Sequence, residues 1–201
     1  MNLIVDLLPD AVDIAGNQVK IVTDFRTGII FEEMMLDDSL SDEEKLFTAL
    51  QLYFPAITFD SEIVPEAIQA ILWFYKCGQN NTASSGKEHT TFKEDPQYSY
   101  EHDADYIYAA FLSSFGIDLT QVTLHWWQFR ALFRSLPEET QFIKIVGYRT
   151  MQIPAKMPKD QKQRYQKLKK LYALPVPEER QRLESDLTQL LMNGGNPSTL
   201  E

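Results

Sequence analysis

The sequence predicts a mainly α-helical fold, a compact bundle of about seven to eight helices with a small N-terminal β-hairpin. Apolar and aromatic residues recur at intervals of three and four through the stretch 106–148. Helix start and stop signals lie along most of the chain, whereas β-branched runs flank a turn pair at one place only. Because 44% of the 201 residues are hydrophobic, the chain can bury a core.

The N-terminal region contains the predicted hairpin and the first helix. Residues 11–23 contain two short β-branched runs around Gly16-Asn17, the pattern of two strands joined by a tight turn. Asp24 is the expected N-cap of a helix that follows directly. Gly28 weakens the prediction of that helix's first turn, since glycine disfavours helix interiors.

Two further helices are predicted before residue 79. Ser41 and Glu44 have capping-box spacing, and Pro55 ends the run that they begin. Pro65 opens the next helix and Gly78 stops it. The expected apolar face of this helix comprises Val64, Ile68, Ile71, Leu72 and Tyr75.

The stretch 106–148 predicts three consecutive helices with short joints, a helical hub. Gly116 closes the first helix, and Pro137 starts the third. The first helix has an apolar stripe of Ala104, Ile107, Tyr108, Phe111, Leu112 and Phe115. The second is predicted over 119–136, with a packing seam of Leu119, Val122, Trp126, Phe129, Phe133 and Leu136.

The remaining segments suggest a domain division. Residues 149–157 are predicted to be extended, a lysine-rich helix follows, and 178–192 form a last helix. The polar stretch 79–98 lacks periodicity and is expected to be a surface loop or linker. The division is 1–78 for the hairpin and first helices, 79–98 for the polar stretch, 99–175 for the hub and basic helix, and 176–201 for the C-terminal helix and tail, unless all form one domain.

Charge and cysteine content limit the class of protein. Residues 1–105 carry 20 acidic and 6 basic residues, a net charge of −14, and residues 106–201 carry 9 and 13, a net charge of +4. The total net charge of −10 argues against general nucleic-acid binding. The uneven distribution could instead allow the two halves to pair within one chain, copies of the chain to stack head to tail, or the basic half to bind an acidic partner. No membrane span is expected. The single cysteine, Cys77, suits a reducing cytoplasm.

Enzyme signatures are not found in the sequence. There is no glycine-rich phosphate loop, nucleophile elbow or His-Glu-x-x-His run. The spacing of His89, His102, His125 and Cys77 does not suggest a metal or catalytic site. The acidic run 32–44 is expected to form solvated helix faces and a cap rather than a cation site. We therefore expect a non-enzymatic protein without cofactor or metal.

A second face of the predicted 119–136 helix suggests a partner-binding surface. Trp127 lies off the packing seam and shares its face with Arg130 and Arg134. Tryptophan and arginine often anchor protein interfaces. In the alternative, another helix of the same chain covers Trp127, and the arginines reach the acidic N-terminal half.

The lysine-rich helix supplies the other candidate partner-binding residues. A narrow apolar edge contains Tyr165, Leu168, Leu171 and Tyr172, and the lysines crowding the other side are Lys159, Lys162, Lys167, Lys169 and Lys170. The lysines could form a solvent-exposed face, or the helix could dock on an acidic surface of the same protein or of another protein. RNA or an anionic membrane fits less well, since the aromatic residues and the apolar edge are sparse.

Several segments together resemble a small protein family that occurs in tailed phages and prophages of Gram-positive bacteria. Its members are usually described only as a numbered phage gene product. The most specific are the His125-Trp126-Trp127-x-Phe129-Arg130 run and, downstream, Gly147-Tyr148-Arg149. The resemblance continues to about residue 175. Further matching segments are LPDAVDIAGNQVKIVTDFRTGIIFEE, EAIQAILWFYKCG, IYAAFLSSFGIDL and KLKKLYALP.

The resemblance implies a tail assembly chaperone of long, flexible-tailed phages. Such a protein would coat the helical, aggregation-prone tape measure protein in the host cytoplasm until tail-tube subunits displace it. Two alternatives remain open: a minor structural tail component that forms rings or stacks, and a nucleic-acid-linked regulator acting through the lysine-rich helix.

Overall fold

The computed structural model describes residues 2–79 and 97–175. Within these ranges it contains seven α-helices and one two-stranded antiparallel sheet, which confirms the mainly α fold class. The predicted helix over 178–192 and most of the polar stretch 79–98 lie outside the described residues. The elements are β1 (Ala11–Ile14), β2 (Asn17–Lys20), α1 (Phe25–Leu36), α2 (Asp42–Tyr53), α3 (Val64–Tyr75), α4 (Ala104–Phe115), α5 (Trp126–Arg134), α6 (Gln141–Thr150) and α7 (Lys159–Leu171).

The chain divides into two compact units, Met1–Gly147 and Tyr148–Glu201, called unit 1 and unit 2 below. The hairpin and α1 to α5 belong to unit 1, and α7 belongs to unit 2. The division falls within α6, so the polar stretch 79–98 does not separate the two units. No helix in the described part of the chain combines the length and apolar character needed to cross a membrane.

The hairpin turns one residue earlier than predicted. Strand pairing runs from Ala11 opposite Lys20 to Ile14 opposite Asn17, so Ala15 and Gly16 form the turn. Both have positive φ, 50° and 78°, as a two-residue hairpin turn requires. Alanine tolerates this conformation poorly, and a hydrogen bond from the Ala15 amide to Glu66 Oε2 on α3, 2.9 Å long, holds the turn.

The caps predicted for α1 and α2 are confirmed. Asp24 Oδ1 accepts a 2.9 Å hydrogen bond from the Arg26 amide at the start of α1. Ser41 and Glu44 form the reciprocal capping box of α2, with the Ser41 amide donating to Glu44 Oε2 and the Glu44 amide donating to Ser41 Oγ. Each cap satisfies backbone amides that lack a partner within the helix.

Helices α3 and α4 occur where predicted, although α3 buries a different face. Gly78, with φ of 72°, follows α3, and Gly116 caps α4 in the left-handed conformation. The buried residues of α3 are Ala67, Ala70, Ile71 and Phe74. Of the predicted face, Ile71 is fully buried and Ile68, Leu72 and Tyr75 are half-buried against the core. Ala67 and Ala70 let neighbouring elements approach a side of the helix that apolar size alone does not mark.

Helix α5 begins at Trp126, so the helix predicted over 119–136 is wrong in its first seven residues. The segment before Trp126 forms a local turn, in which the Gln121 and Val122 amides donate to Asp118 O, and its other backbone groups bond to α1 and the residues that lead into it. The Phe25 amide donates to Leu124 O, and the Trp126 amide donates to Thr23 O at 2.7 Å. Arg26 Nη2 donates to Leu119 O at 2.6 Å. These long-range bonds use backbone groups that a continuous helix would have paired internally.

The boundaries of α6 also differ from prediction. The expected start at Pro137 is a turn, and α6 begins at Gln141 after Thr140, whose carbonyl accepts from the Lys144 amide. The helix continues to Thr150, so the extended segment predicted from 149 is shorter. The lysine-rich helix is confirmed as α7, over Lys159–Leu171.

The core of unit 1 is centred on Phe129, which is fully buried. Its ring stacks on Phe25 at 4.9 Å, on Phe111 at 5.2 Å and on Trp126 at 5.8 Å between centroids. Offset stacking of aromatic rings adds to the stabilisation that burial provides. The rings come from α1, α4 and α5, so the core extends well beyond the consecutive helices of the predicted hub.

Candidate partner-binding residues

His125 fixes the start of α5 and so places the two adjacent tryptophans. Its Nδ1 accepts a 3.0 Å hydrogen bond from the Trp127 amide, which caps the helix. Its Nε2 lies 3.1 Å from Pro9 O, which ties the N-terminal segment to the same point. Burial lowers the pKa of His125, which favours the neutral ring that this cap requires.

Both tryptophan side chains bind the carboxyl end of α3. Trp126 Nε1 donates to Tyr75 O at 2.9 Å, and Trp127 Nε1 donates to Phe74 O at 2.7 Å. The last carbonyls of a helix have no partner within the helix. The two indoles therefore satisfy helix-end carbonyls while filling the space between α5 and α3.

Trp127 is a core residue, which corrects its assignment to an exposed partner-binding face. It is 1% exposed and contacts the rings of Trp73 at 5.6 Å and Phe74 at 5.9 Å. Consecutive helix residues point about 100° apart, so Trp126 and Trp127 occupy adjacent faces. Both faces are covered, since Trp126 packs on Gly28 of α1 and Trp127 on α3. A helix covered on two sides has no single seam.

Arg130 contacts the acidic N-terminal half of the chain. This agrees with the alternative prediction, in which the face of Trp127 and Arg130 is covered within the same chain. Its Nη1 lies 3.7 Å from Glu32 Oε2, with side-chain exposures of 19% and 13%. The guanidinium also stands over the rings of Trp126, at 5.4 Å, and Tyr75, at 5.6 Å. Arg130 is thus held inside unit 1 by one carboxylate and two aromatic faces.

Glu32 joins distant parts of unit 1, and the group formed with its partners is called the Glu32 centre (Glu32, Tyr75, Tyr98 and Arg130). The phenol of Tyr75 donates to Oε2 at 2.5 Å, and that of Tyr98 donates to Oε1 at 3.0 Å. Burial, followed by the negative charge of Glu32, raises the pKa of Tyr75 and of Tyr98 above the usual tyrosine range. Both phenols therefore remain protonated donors, and the arrangement is suited to hold structure together.

The other predicted partner-binding residues are at the surface. Arg134 is exposed in the last turn of α5. Lys159, Lys167, Lys169 and Lys170 are exposed on α7, Lys162 is half-buried, and Lys169 Nζ donates to Met151 O at 3.2 Å. Arg134 belongs to unit 1 and the lysines to unit 2. A role for these residues in partner binding remains a prediction.

The acidic run 32–44 divides between two environments. Glu32 points into the Glu32 centre, whereas Asp37, Asp38, Asp42, Glu43 and Glu44 are exposed. Among residues 2–79 and 97–175, no cluster of three or more His, Cys, Asp or Glu side chains is arranged to hold a metal ion.

An exposed apolar segment lies before the hairpin, and the sequence patterns did not predict it. Ile4 is 93% exposed, Leu7 92% and Val5 77%. A short turn, in which the Val5 and Asp6 amides donate to Asn2 O, shapes the segment. Its signal in the sequence is an apolar run without helical or strand periodicity, LIVDLL. Contiguous exposed apolar residues are typical of interaction surfaces.

Comparison with known proteins identifies one family. The family model described as Bacteriophage Gp15 protein matches residues 4–174 of the chain. No curated protein matches the chain, and no solved structure matches it. The matched range includes nearly all of the described residues, and the chain belongs to the Bacteriophage Gp15 family. Membership supports a phage-related structural or assembly role.

Proposed function

We propose that this Gp15-family chain is a non-enzymatic tail assembly chaperone that binds the tape measure protein in the cytoplasm of an infected Gram-positive host. A chaperone of this kind has to cover apolar stripes of a long helical client and later release them. Such a task calls for exposed apolar side chains on a stable scaffold and for no bond-breaking chemistry.

The exposed apolar segment 3–7 carries the proposal. Three of its side chains, Ile4, Val5 and Leu7, are more than three-quarters exposed. Exposing so much apolar surface is unfavourable in water unless a partner covers it. The segment is attached to the core at its base, where Pro9 O lies 3.1 Å from His125 Nε2. A client helix would gain apolar contacts here without disturbing the core.

Arg134 is the charged residue of α5 best placed to contribute at the surface of unit 1. It is exposed, unlike Arg130, which the Glu32 centre holds. An exposed arginine adds orientation and a faster encounter with an acidic client more than affinity. Trp127 has no direct role in the proposal because it is buried.

Co-expression with the tape measure protein from the same phage genome tests the proposal. We expect the chaperone to raise the soluble fraction of the client and to co-purify with it. The double variant Ile4→Ser, Leu7→Ser should lose most of this effect. The matched control Ile30→Ser, Leu112→Ser also removes two exposed apolar side chains, 49% and 44% exposed, and should retain it. Unchanged client solubility with the native chain would refute the proposal.

Mass spectrometry of purified virions distinguishes a chaperone from a tail component. A chaperone that tail-tube subunits displace should be absent from the virion or present far below the copy number of tail proteins. Recovery at a stoichiometric copy number would instead favour the structural alternative, a component of rings or stacks.

A further inference from the structure

We propose that the protein self-associates head to tail, with the basic face of α7 in one copy docked on the acidic face of α2 in the next copy. The basic face consists of Arg164, Lys167 and Leu171, and the acidic face of Asp42, Glu43, Leu46 and Phe47. This inference concerns contacts between copies and does not depend on binding of a tape measure protein.

The basic face combines positive charge with an exposed leucine. Helix α7 contains six basic residues and one acidic residue, and none of its residues is buried. Arg164 and Lys167 lie three residues apart, and Leu171 follows Lys167 by four, so all three share one side of the helix. Leu171 is 71% exposed. A helix with this composition gains by docking on a surface that is both acidic and apolar.

The acidic face has the same construction with the opposite charge. Asp42 precedes Leu46 by four residues, and Glu43 precedes Phe47 by four, so each carboxylate adjoins an exposed apolar side chain. Leu46 is 41% exposed and Phe47 is 61% exposed. Asp37 and Asp38, both exposed in the joint before α2, extend the negative surface.

Charge complementarity, together with the paired apolar side chains, favours a second copy as the occupant. Opposite charges guide the two faces together, and burial of Phe47 and Leu171 would then supply contact area. A nucleic acid would satisfy the charges of α7 but would leave Leu171 without an apolar partner. Because the two faces differ, the contact is heterologous, and repeated copies would form a ring or an open chain.

Charge reversal of each face tests the proposal in the full-length chain, measured by size-exclusion chromatography with light scattering before and after nuclease treatment. The basic-face variant is Arg164→Glu, Lys167→Glu, and the acidic-face variant is Asp42→Lys, Glu43→Lys. The control Lys20→Glu, Lys144→Glu changes the net charge as the basic-face variant does, at exposed positions on other elements. Circular dichroism and thermal unfolding establish that each variant is folded.

We expect the native chain and the control to have an average mass above that of one chain at about 0.05 M salt, and to dissociate at about 1 M salt, where the Debye length is about 3 Å. Each reversed variant alone should be monomeric. An equimolar mixture of the two should associate again, because each reversed face meets a complementary face on the other protein.

Four results would overturn the proposal. They are a native chain that is monomeric at low salt, an association that high salt leaves intact, one that nuclease abolishes, and a mixture that stays monomeric. If the two faces pair within one chain, the native chain is monomeric at low salt, which is the first of these results. The chaperone proposal is tested by the solubility of the tape measure protein and self-association by the average mass of the chain. Either proposal can therefore fail while the other stands.

Discussion

The six-membered ring of Trp126 lies directly against the backbone of Gly28, so closely that a Cβ atom at position 28 would stand 2.2 Å from Trp126 Cε3. Gly28 is an interior residue of α1, a place where glycine ordinarily weakens a helix. The close approach explains its presence there. Trp126 can reach the centre of the core because α1 has no side chain at that position.

Substitution of Gly28 by alanine should therefore destabilise the protein, although alanine favours helices. Overpacking costs about 1–3 kcal/mol or more, against a gain in helix propensity of about 1 kcal/mol. Gly147→Ala is the matched control, since Gly147 is in α6 and a Cβ there would meet no atom within 4 Å. We expect it to stabilise by up to about 1 kcal/mol in denaturant unfolding. Equal stabilities of the two variants would contradict the packing described.

Replacement of Trp127 tests whether it stabilises the fold as a core residue does. Trp127→Ala should lower the free energy of unfolding by about 3–5 kcal/mol, because it leaves a large cavity and removes the hydrogen bond from the indole to Phe74 O at the end of α3. Trp127→Phe should cost less, since it removes the hydrogen bond but keeps most ring contacts. Tyr106→Ala, at an aromatic residue that is 37% exposed, should have a much smaller effect. A Trp127→Ala protein as stable as the native chain would contradict the burial of Trp127 in the core.

Neutralising Glu32 tests the Glu32 centre. Glu32→Gln keeps the shape of the side chain but removes the charge that Arg130 faces and one of the acceptors used by Tyr75 and Tyr98. We expect a loss of about 1–3 kcal/mol in unfolding free energy, typical of a partly buried charge-assisted hydrogen-bond group. Glu62→Gln, at an exposed position, should change stability little. An equal effect of both substitutions would show that the centre contributes nothing specific.

Acidification should weaken the His125 cap. Because burial lowers the pKa of His125 from 6.5 in the folded state, the unfolded chain takes up a proton first as the pH falls. The stability present above about pH 6.5 is therefore lost progressively below it. Unfolding free energies measured between about pH 7 and about pH 5 should fall for the native chain. His125→Asn keeps a capping side chain that does not titrate and should reduce the fall.

Comparison of the native chain with His125→Asn isolates the contribution of His125 to the pH dependence of stability. Burial first, and then the charges of Glu101 and Glu32, raise the pKa of Glu33 above 4.5, which gives a pH dependence of opposite sign. That contribution is common to the native chain and the variant, so the difference between them reports on His125. Parallel slopes for His125→Asn and the native chain would argue against the cap as the cause.

Much of the secondary structure could be predicted because its signals are local. The Ser41–Glu44 box and the Gly116 cap depend on residues within one turn of each other, and their partners follow directly from spacing. The start of α5 could not be predicted in this way. His125 is an uncommon N-cap, and backbone groups at and before Trp126 bond to Thr23, Phe25 and Arg26, which lie about a hundred positions earlier.

The sequence by itself determined the helical class, the caps of α1, α2 and α4, the charge polarity and the family resemblance, which depend on residue type and local spacing. Only the tertiary structure decided which faces are buried. Trp127 and Arg130 have the composition of an interface, yet Phe74 and Glu32, far away in the chain, enclose them. A helical wheel gives the direction of a side chain but not what lies there, because burial depends on the packing of distant elements.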